Sequence, residues 1–153
     1  MRLLTCLALL GLAACHPAPV SGTRFRTLQR ANAFERTVAS VETQLGGVLH
    51  STPSSGVIQS KWTDPSYGIG LPPKFLFYRY QVVVLQNPAD DSADVRVTPE
   101  VVYCGILDSR DPDKMSNSCA RAEDMAGAII PDAIRERIAH SIASLQDDVF
   151  RRD

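Results

Sequence analysis

The segment from residue 75 to residue 85 is the clearest predicted strand in this chain. Arg79 and Gln81 lie on one side of the alternation, and the other side is entirely apolar, with Leu76, Tyr78, Tyr80, Val82 and Val84. A period of two residues is the pattern of a strand with one buried face. We therefore expect a sheet whose apolar face is covered by a second layer.

A second long strand is predicted directly after the first. Its apolar positions are Val95, Val97, Val101 and Tyr103, and they alternate with Asp94, Arg96, Glu100 and Val102. An acidic turn at residues 87–92 joins the two strands, so we expect them to pair antiparallel. Pro99 cannot donate a ladder hydrogen bond, and it indicates either an edge position or a bulge.

Two shorter strands are expected between residues 48 and 62, around turn-forming residues 53–56. In the second strand Ile58, Ser60 and Trp62 share one side, while Val57, Gln59 and Lys61 share the other. Residues 63–74 are expected to form a loop without regular structure. This candidate ligand or partner loop either exposes an apolar tip or folds back over the sheet; the side chains concerned are Tyr67, Ile69 and Leu71.

A helix is predicted over residues 24–45, where apolar side chains recur at spacings of three and four. Ser21 or Thr23 can cap its start, and Gly46–Gly47 can end it. The apolar stripe is expected to pack on the sheet. A helix that binds a partner or lies on a membrane surface is the alternative.

The C-terminal part is also predicted to be helical. Residues 120–130 form a first segment, after which Pro131 either kinks the helix or opens a new one. Residues 132–150 carry Ile134, Ile138, Ile142, Leu145 and Val149 at helical spacing. We therefore predict an α+β fold, in which an antiparallel sheet of about four strands is covered on one face by an N-terminal and a C-terminal helix.

The N-terminus has the composition of an export signal. Arg2 precedes a twelve-residue apolar run, Leu3 to Ala14, which ends at Cys15. A membrane-spanning helix needs about 20 apolar residues, so this run is too short to span a bilayer and fits a signal peptide. The whole chain has 153 residues, a length that argues for one folded domain after the signal.

The end of this run, Leu12-Ala13-Ala14-Cys15, resembles the lipobox of bacterial lipoprotein precursors at all four positions. The resemblance implies a diacylglyceryl group on the Cys15 sulfur and cleavage by signal peptidase II between Ala14 and Cys15. Two or three acyl chains anchor a protein stably to a membrane, since each buried CH₂ adds about 0.8 kcal/mol.

The lipobox resemblance also implies a location. His16 follows Cys15, and the absence of Asp there favours the outer membrane, with the protein facing the periplasm. The inner membrane and the cell surface remain alternatives. We therefore divide the chain into a signal peptide (1–14), a lipidated tether (15–23) and a single α+β domain (24–153).

Cys104 and Cys119 remain as an even pair in the exported domain, on either side of a 14-residue loop. In an oxidising compartment we expect them to form a disulfide that joins the last strand to the C-terminal helix. Two separate buried thiols are the alternative.

No catalytic or metal site is predicted, and no cofactor. The loop between the two cysteines contains oxygen ligands that Ca²⁺ accepts, at Asp108, Asp111, Asp113, Ser116 and Asn117. Their spacing does not match an EF-hand, however, and a solvated acidic loop is the better interpretation. The three histidines, His16, His50 and His140, fall in separate elements, and no nucleophile or phosphate-binding motif occurs.

The charge pattern gives no reason to expect nucleic acid as a partner. Loss of Arg2 with the signal leaves 15 basic and 17 acidic residues. Basic residues concentrate in 22–62 and acidic residues in 90–124. These stretches indicate two solvated surfaces. The alternative is that the protein has a positive and a negative side, and that this charge separation orients it against a partner.

Residues 31–62 have a second resemblance. The segment consists of a helix, Gly46-Gly47 and then Gly56-Val-Ile-Gln-Ser-Lys-Trp62. This order is similar to the repeating domain of the BamC lipoprotein family, an accessory of the outer-membrane β-barrel assembly machinery. The resemblance implies a helix-packed antiparallel sheet and a role in binding other proteins.

These features favour a non-catalytic, lipid-anchored lipoprotein that binds another envelope protein. One alternative is a periplasm-facing carrier or sensor of a small apolar ligand, held between sheet and helices near Trp62, Tyr78 and Tyr80. An enzyme of the cell envelope is the third hypothesis. The membrane, through the lipid anchor, and an envelope protein are the expected partners.

Overall fold

The computed structural model describes residues 22–27, 31–63, 66–67, 74–105, 109–115 and 117–151, with the backbone alone for residues 66–67. This part of the chain forms an α+β fold with an antiparallel sheet. The helices are α1 (Ala33–Gln44) and α2 (Asp132–Arg151). The strands are β1 (Thr23–Thr27), β2 (Val48–Thr52), β3 (Val57–Ser60), β4 (Ser66–Tyr67), β5 (Phe75–Gln86), β6 (Ala93–Cys104) and β7 (Cys119–Arg121).

The two longest strands, β5 and β6, form the centre of the sheet and pair from Phe75 opposite Cys104 to Gln86 opposite Ala93. The strand order is β1-β6-β5-β3-β2, with β4 beside β5 and β7 beside β6. The predicted long hairpin is confirmed, but the prediction of about four strands is too low. Strands β4 and β7 have two and three residues, too few for a side-chain period to be recognised.

Strand β1 shows that the prediction of a helix over residues 24–45 is wrong at its start. Phe25 and Thr27 are buried while Arg24 and Arg26 are exposed, so the true period here is two. Phe25 also falls at a helical spacing from later apolar residues, and this coincidence produced the wrong prediction.

Helix α1 begins after Asn32, whose φ of 59° lies in the left-handed region, so neither proposed cap residue starts the helix. The later part of the predicted stripe does contact the core, through Phe34, Val38, Val41 and Leu45. Gly46 and Gly47 follow with φ of 81° and 105°. Because such angles favour glycine, the predicted end of the helix is confirmed.

Residues 120–130 do not form the predicted helix. The segment Ala122–Asp124 is a single 3-10 turn, and Gly127 has a φ of 74°. Helix α2 begins directly after Pro131, whose carbonyl oxygen accepts a hydrogen bond from the Ile134 amide at 2.9 Å. Pro131 therefore precedes a new helix and does not kink a longer one.

The main core lies between the two helices and one face of the sheet, which we call the inner face. The predicted apolar sides of both long strands are buried there: Leu76, Tyr78, Tyr80, Val82, Val84, Val95, Val97, Val101 and Tyr103. The two helices, together with Leu45 directly after α1, cover this face; their buried apolar residues are Ala33, Val41, Leu45, Ile134, Ile138, Ile142, Leu145 and Val149. We call the opposite side of the sheet the outer face.

Pro99 lies in an uninterrupted β5–β6 register, so it marks no bulge. Its partner Tyr80 donates its backbone N–H away from β6, to Ser60 Oγ at 2.9 Å. The nitrogen of Pro99 therefore faces the far side of β6, where β1 pairs with residues 93–97 and β7 with residues 102–104. In the described part of the chain Pro99 falls in the gap between these partners, so its missing N–H breaks no ladder bond there. Strand β6 as a whole is an inner strand, so Pro99 does not mark an edge strand.

Two core tyrosines differ in how their hydroxyl groups are accommodated. Burial raises the pKa of Tyr80 to about 12, although the nearby Ser141 hydroxyl opposes the shift. The Tyr80 hydroxyl nevertheless has no well-aligned hydrogen bond. The Tyr103 hydroxyl donates a hydrogen bond to the carbonyl oxygen of Ile129.

We expect Tyr80→Phe to be nearly neutral at pH 7, and Tyr103→Phe to lower the free energy of unfolding by about 1 kcal/mol, because only the second change removes a formed hydrogen bond. Since the folded pKa of Tyr80 lies above its ordinary 10.0, the neutral phenol stabilises the fold below pH 10. This contribution is lost as the pH rises from 10 towards 12. Urea unfolding at pH 7 and across this alkaline range measures both effects. An equal loss for the two variants at pH 7 would contradict the assignment.

Candidate functional site

The outer face carries a second apolar cluster, which we call the outer cluster. Its buried members are Phe77, Val102, Cys104 and Met115, with Trp62, Phe75 and Cys119 packed against them. The cluster lies under residues 109–115, a segment that we call the strap and that contains the 3-10 turn Pro112–Met115. Part of the outer face is thus covered by chain from outside the sheet.

A disulfide joins Cys104 and Cys119, as predicted. The two residues are direct partners in the β6–β7 register, with Cα atoms 4.0 Å apart. Cys119 begins β7, so the expectation that the bond reaches the C-terminal helix is wrong. The bond closes the intervening loop, which includes the strap, against the end of β6.

Arg79 lies at the centre of the outer face and is only 8% exposed. Its Nε donates to Glu100 Oε2 at 2.7 Å, and Nη1 donates to Asp113 Oδ2 at 2.7 Å. Glu100 is the register partner of Arg79 on β6, whereas Asp113 comes from the strap. A buried guanidinium requires such charged acceptors, so Arg79 ties the strap to the sheet.

Trp62 completes this contact. The guanidinium carbon of Arg79 lies 4.0 Å from the centroid of the Trp62 ring, and Trp62 Nε1 donates to Asp113 Oδ2 at 3.2 Å. When the amide oxygen of Gln59 faces Arg79, it accepts from Nε at 3.3 Å and from Nη2 at 3.2 Å. Trp62, Arg79 and Asp113 therefore form one network, with both charge and ring stacking in it.

The position of Trp62 corrects the prediction that it shares a side with Ile58 and Ser60. Strand β3 ends at Ser60, and Trp62 lies against the outer cluster while Ile58 is in the main core. The strict alternation does not continue past the end of the strand. Tyr78 and Tyr80 belong to the main core, so the three aromatic residues expected around an apolar ligand do not meet in one place.

The Gly56-to-Trp62 pattern can now be explained residue by residue. Gly56 has a φ of +69°, and a Cβ there would lie 2.1 Å from the carbonyl oxygen of Val84. Ile58 is fully buried, and Ser60 Oγ accepts the backbone N–H of Tyr80. Gly56, Ile58 and Ser60 thus build the sheet, whereas Trp62 takes part in the outer-face network.

The described carboxylates of the acidic loop have partners within the protein: Asp113 binds Arg79 and Trp62, and Asp111 binds within the loop. Asp111 Oδ1 accepts the backbone N–H of Asp113 at 3.1 Å, and Asp111 lies 3.8 Å from Lys114 Nζ. Asp108 and Ser116, also considered as Ca²⁺ ligands, lie outside the described residues. Within the described ranges, no three His, Cys, Asp or Glu side chains are arranged to hold a metal ion.

The two charge-rich stretches meet in the folded chain. Arg24 and Arg26 of β1 both contact Asp94 of β6, and Arg26 lies 3.9 Å from Asp90. The hydrogen bond from Arg24 is the main reason that the pKa of Asp94 is lowered. These contacts partly neutralise the charge at the β1 edge.

Several predicted site residues lie outside the described residues: Ala14, Cys15, Ile69 and Leu71. The backbone of Tyr67 pairs with Phe75 in β4, which corrects the expectation that residues 63–74 hold no regular structure. In the part of the chain that the structure describes, neither helix combines the length and hydropathy needed to cross a bilayer.

The network around Arg79 was missed by sequence reasoning. Its only signal was a charged residue in the middle of the strongest strand, and the partner Asp113 is 34 positions further along the chain. Nothing in the spacing of these residues indicates that they meet.

Comparisons with known proteins do not show what this site does. No family model and no curated protein matches the chain. It is similar to a solved TBP-like protein from Parabacteroides distasonis, with a TM-score of 0.46, 14% identity and coverage of 84% of this chain and 90% of that one. It is also similar to a DUF4468 family protein from Bacteroides ovatus, with a TM-score of 0.40, 12% identity and coverage of 85% and 80%. These scores assign neither a family nor an activity.

Proposed function

We propose that this protein is a lipid-anchored lipoprotein of the outer membrane that faces the periplasm and binds another envelope protein without catalysis. The observation that carries the proposal is Leu12-Ala13-Ala14-Cys15 at the end of a twelve-residue apolar run. Acyl chains on Cys15 hold the domain at the membrane. The disulfide between Cys104 and Cys119 supports the proposal, since such bonds persist in oxidising compartments.

The fold limits how far the domain can move from its anchor. Strand β1 begins at Thr23, so seven residues, 16–22, separate it from Cys15. Fully extended, seven residues span at most about 25 Å. The domain therefore stays within about its own diameter of the bilayer surface, where membrane proteins are the nearest partners. The resemblance of residues 31–62 to the BamC domain also favours a protein partner.

We expect Cys15→Ala to remove the protein from the membrane, because the variant lacks the sulfur to which lipid is attached. Cys6→Ala is the matched control, since Cys6 lies within the proposed signal and outside the lipobox. Density-gradient fractionation of cells that express each full chain tests this. The unmodified chain and Cys6→Ala should sediment with the outer membrane, and Cys15→Ala should not. Recovery of Cys15→Ala in the same membrane fraction would sink the proposal.

A partner is tested in the same cells with a short amine-reactive crosslinker. We expect the unmodified chain to give a discrete adduct with one envelope protein, and Cys15→Ala to give much less of it. Adducts of equal yield in both strains would mean that anchoring does not serve partner binding.

A further inference from the structure

We propose that the envelope protein bound by this chain presents an acidic segment to the uncovered part of the outer face, where a partner carboxylate pairs with Arg96. The inference rests on the proposed function, because it takes a protein partner as given and assigns the surface and the chemistry of the contact. We call this surface the open patch; its members are Arg24, Val57, Val83, Leu85 and Arg96.

The strand register places the open patch together on the outer face. Val57 of β3 pairs with Val83 of β5, which in turn pairs with Arg96 of β6. Arg96 also pairs with Arg24 of β1. These four side chains thus form one row across four strands. Neighbouring strands lie about 5 Å apart, so along the sheet Arg96 is about 5 Å from Val83 and about 10 Å from Val57.

The apolar side chains of the open patch are left partly in water. Val57 and Val83 are partly exposed and belong to neither the main core nor the outer cluster. Leu85, two residues further along β5, is 49% exposed. The strap packs on the outer cluster, whose members do not include these side chains. An exposed apolar area rimmed by charged residues is typical of a surface that binds another protein.

Arg96 indicates the charge of the partner. Like charges directly opposite each other in a sheet are destabilising, and Arg24 and Arg96 stand in that relation. Asp94 accepts hydrogen bonds from both Arg24 and Arg26, so its charge is already shared between two cations. Among the described residues, the exposed Arg96 has no hydrogen bond and no ion pair. A carboxylate from outside the chain would pair with Arg96 and relieve its repulsion by Arg24.

A protein segment fits this arrangement better than an anionic lipid surface does. Asp94 lies against Arg24 and Arg26, and Asp90 lies 3.9 Å from Arg26. A flat anionic surface would meet these carboxylates together with Arg96, and their repulsion would offset the attraction. A protein partner can instead place one carboxylate at Arg96 and one apolar side chain on Val83. Arginine is also enriched in the interfaces between proteins.

The variant that tests the inference is Arg96→Glu, which reverses the charge that the partner contacts. The new carboxylate would face Arg24 across the β1–β6 pairing, so the variant should resist urea at least as well as the parent. Loss of binding in this variant is then not a loss of fold. Arg137→Glu is the matched control, since Arg137 is exposed on α2, on the other side of the sheet.

Binding is measured in cells that express the full chain with the photoreactive residue benzoylphenylalanine in place of Gln81, which is exposed two residues before Val83. We expect one protein adduct, and we expect mass spectrometry to find an aspartate or glutamate in the crosslinked partner peptide. Arg96→Glu should lower the adduct yield about tenfold or more, because like charges brought together at an interface repel strongly. Arg137→Glu should leave the yield unchanged. Reversal of the partner carboxylate to arginine should restore the yield in the Arg96→Glu chain.

An adduct to lipid or to a second copy of this chain would overturn the inference, and so would an adduct whose yield does not fall in Arg96→Glu. A lower urea midpoint for Arg96→Glu would contradict the unfavourable pairing with Arg24. If the amine-reactive crosslinker gives its adduct with one envelope protein while the probe at Gln81 gives none, the partner binds another surface and only this inference fails. If neither reagent gives a protein adduct, the proposed function fails as well.

Discussion

Arg79→Ala is expected to lower the free energy of unfolding by about 3–5 kcal/mol, the cost typical of removing one partner from a buried ion pair. The change leaves Glu100 and Asp113 close together without the guanidinium that both of them contact at 2.7 Å. It also removes the group stacked on Trp62. Urea unfolding followed by circular dichroism measures the loss.

Arg121→Ala is the matched control, because Arg121 contacts the same carboxylate from the surface. Its Nε lies 3.7 Å from Glu100 Oε1, and its side chain is 60% exposed. Exposed pairs contribute about 0–1 kcal/mol, so this variant should be nearly as stable as the parent. Similar losses in the two variants would show that burial of Arg79 does not organise the outer face.

Gly56→Ala is expected to cost about 2–6 kcal/mol, as the sum of backbone strain and overpacking. The residue has a φ of +69°, and the new Cβ would fall 2.1 Å from the carbonyl oxygen of Val84. The contact is with backbone, which cannot turn aside as a flexible side chain can. The Gly56 carbonyl also accepts the Val84 amide at 2.8 Å, so the shift would disturb the β3–β5 pairing.

Gly46→Ala separates the two causes. Gly46 has a φ of +81°, but no atom lies within 4 Å of the position that a Cβ would take. Only left-handed strain remains, about 1–2 kcal/mol. Denaturant midpoints of both variants check the difference. If Gly46→Ala were as costly as Gly56→Ala, the close approach to Val84 would have no energetic consequence.

The parts of the fold that the sequence predicts well are those with long, regular periods. In β5 and α2, which have twelve and twenty residues, the apolar positions that face the main core recur often enough to identify each element. Strand β1 has only five residues, and Phe25 satisfies two periods at once. Local pattern cannot choose between them, because the choice depends on pairing with β6, far along the chain.

The outer-face network also depends on contacts between residues that are far apart in the chain, which local sequence patterns do not predict. The pairing of Arg79 with Glu100 follows from the register of two long strands, which a hairpin prediction brings within reach. The contact with Asp113 depends instead on where the strap lies, and the strap is placed by the disulfide and by Met115. The spacing of Cys104 and Cys119 predicted their bond, whereas the side chains that the closed loop brings together required the structure.

The central claim is that Cys15 carries lipid, and the intact mass of the membrane-extracted protein tests it most directly, with Cys15→Ala measured beside it. We predict a mature chain that begins at Cys15 and carries the added mass of a diacylglyceryl group, with or without a further acyl chain on the amine. The variant should lack this mass. An unmodified Cys15 in a soluble fraction would contradict the account.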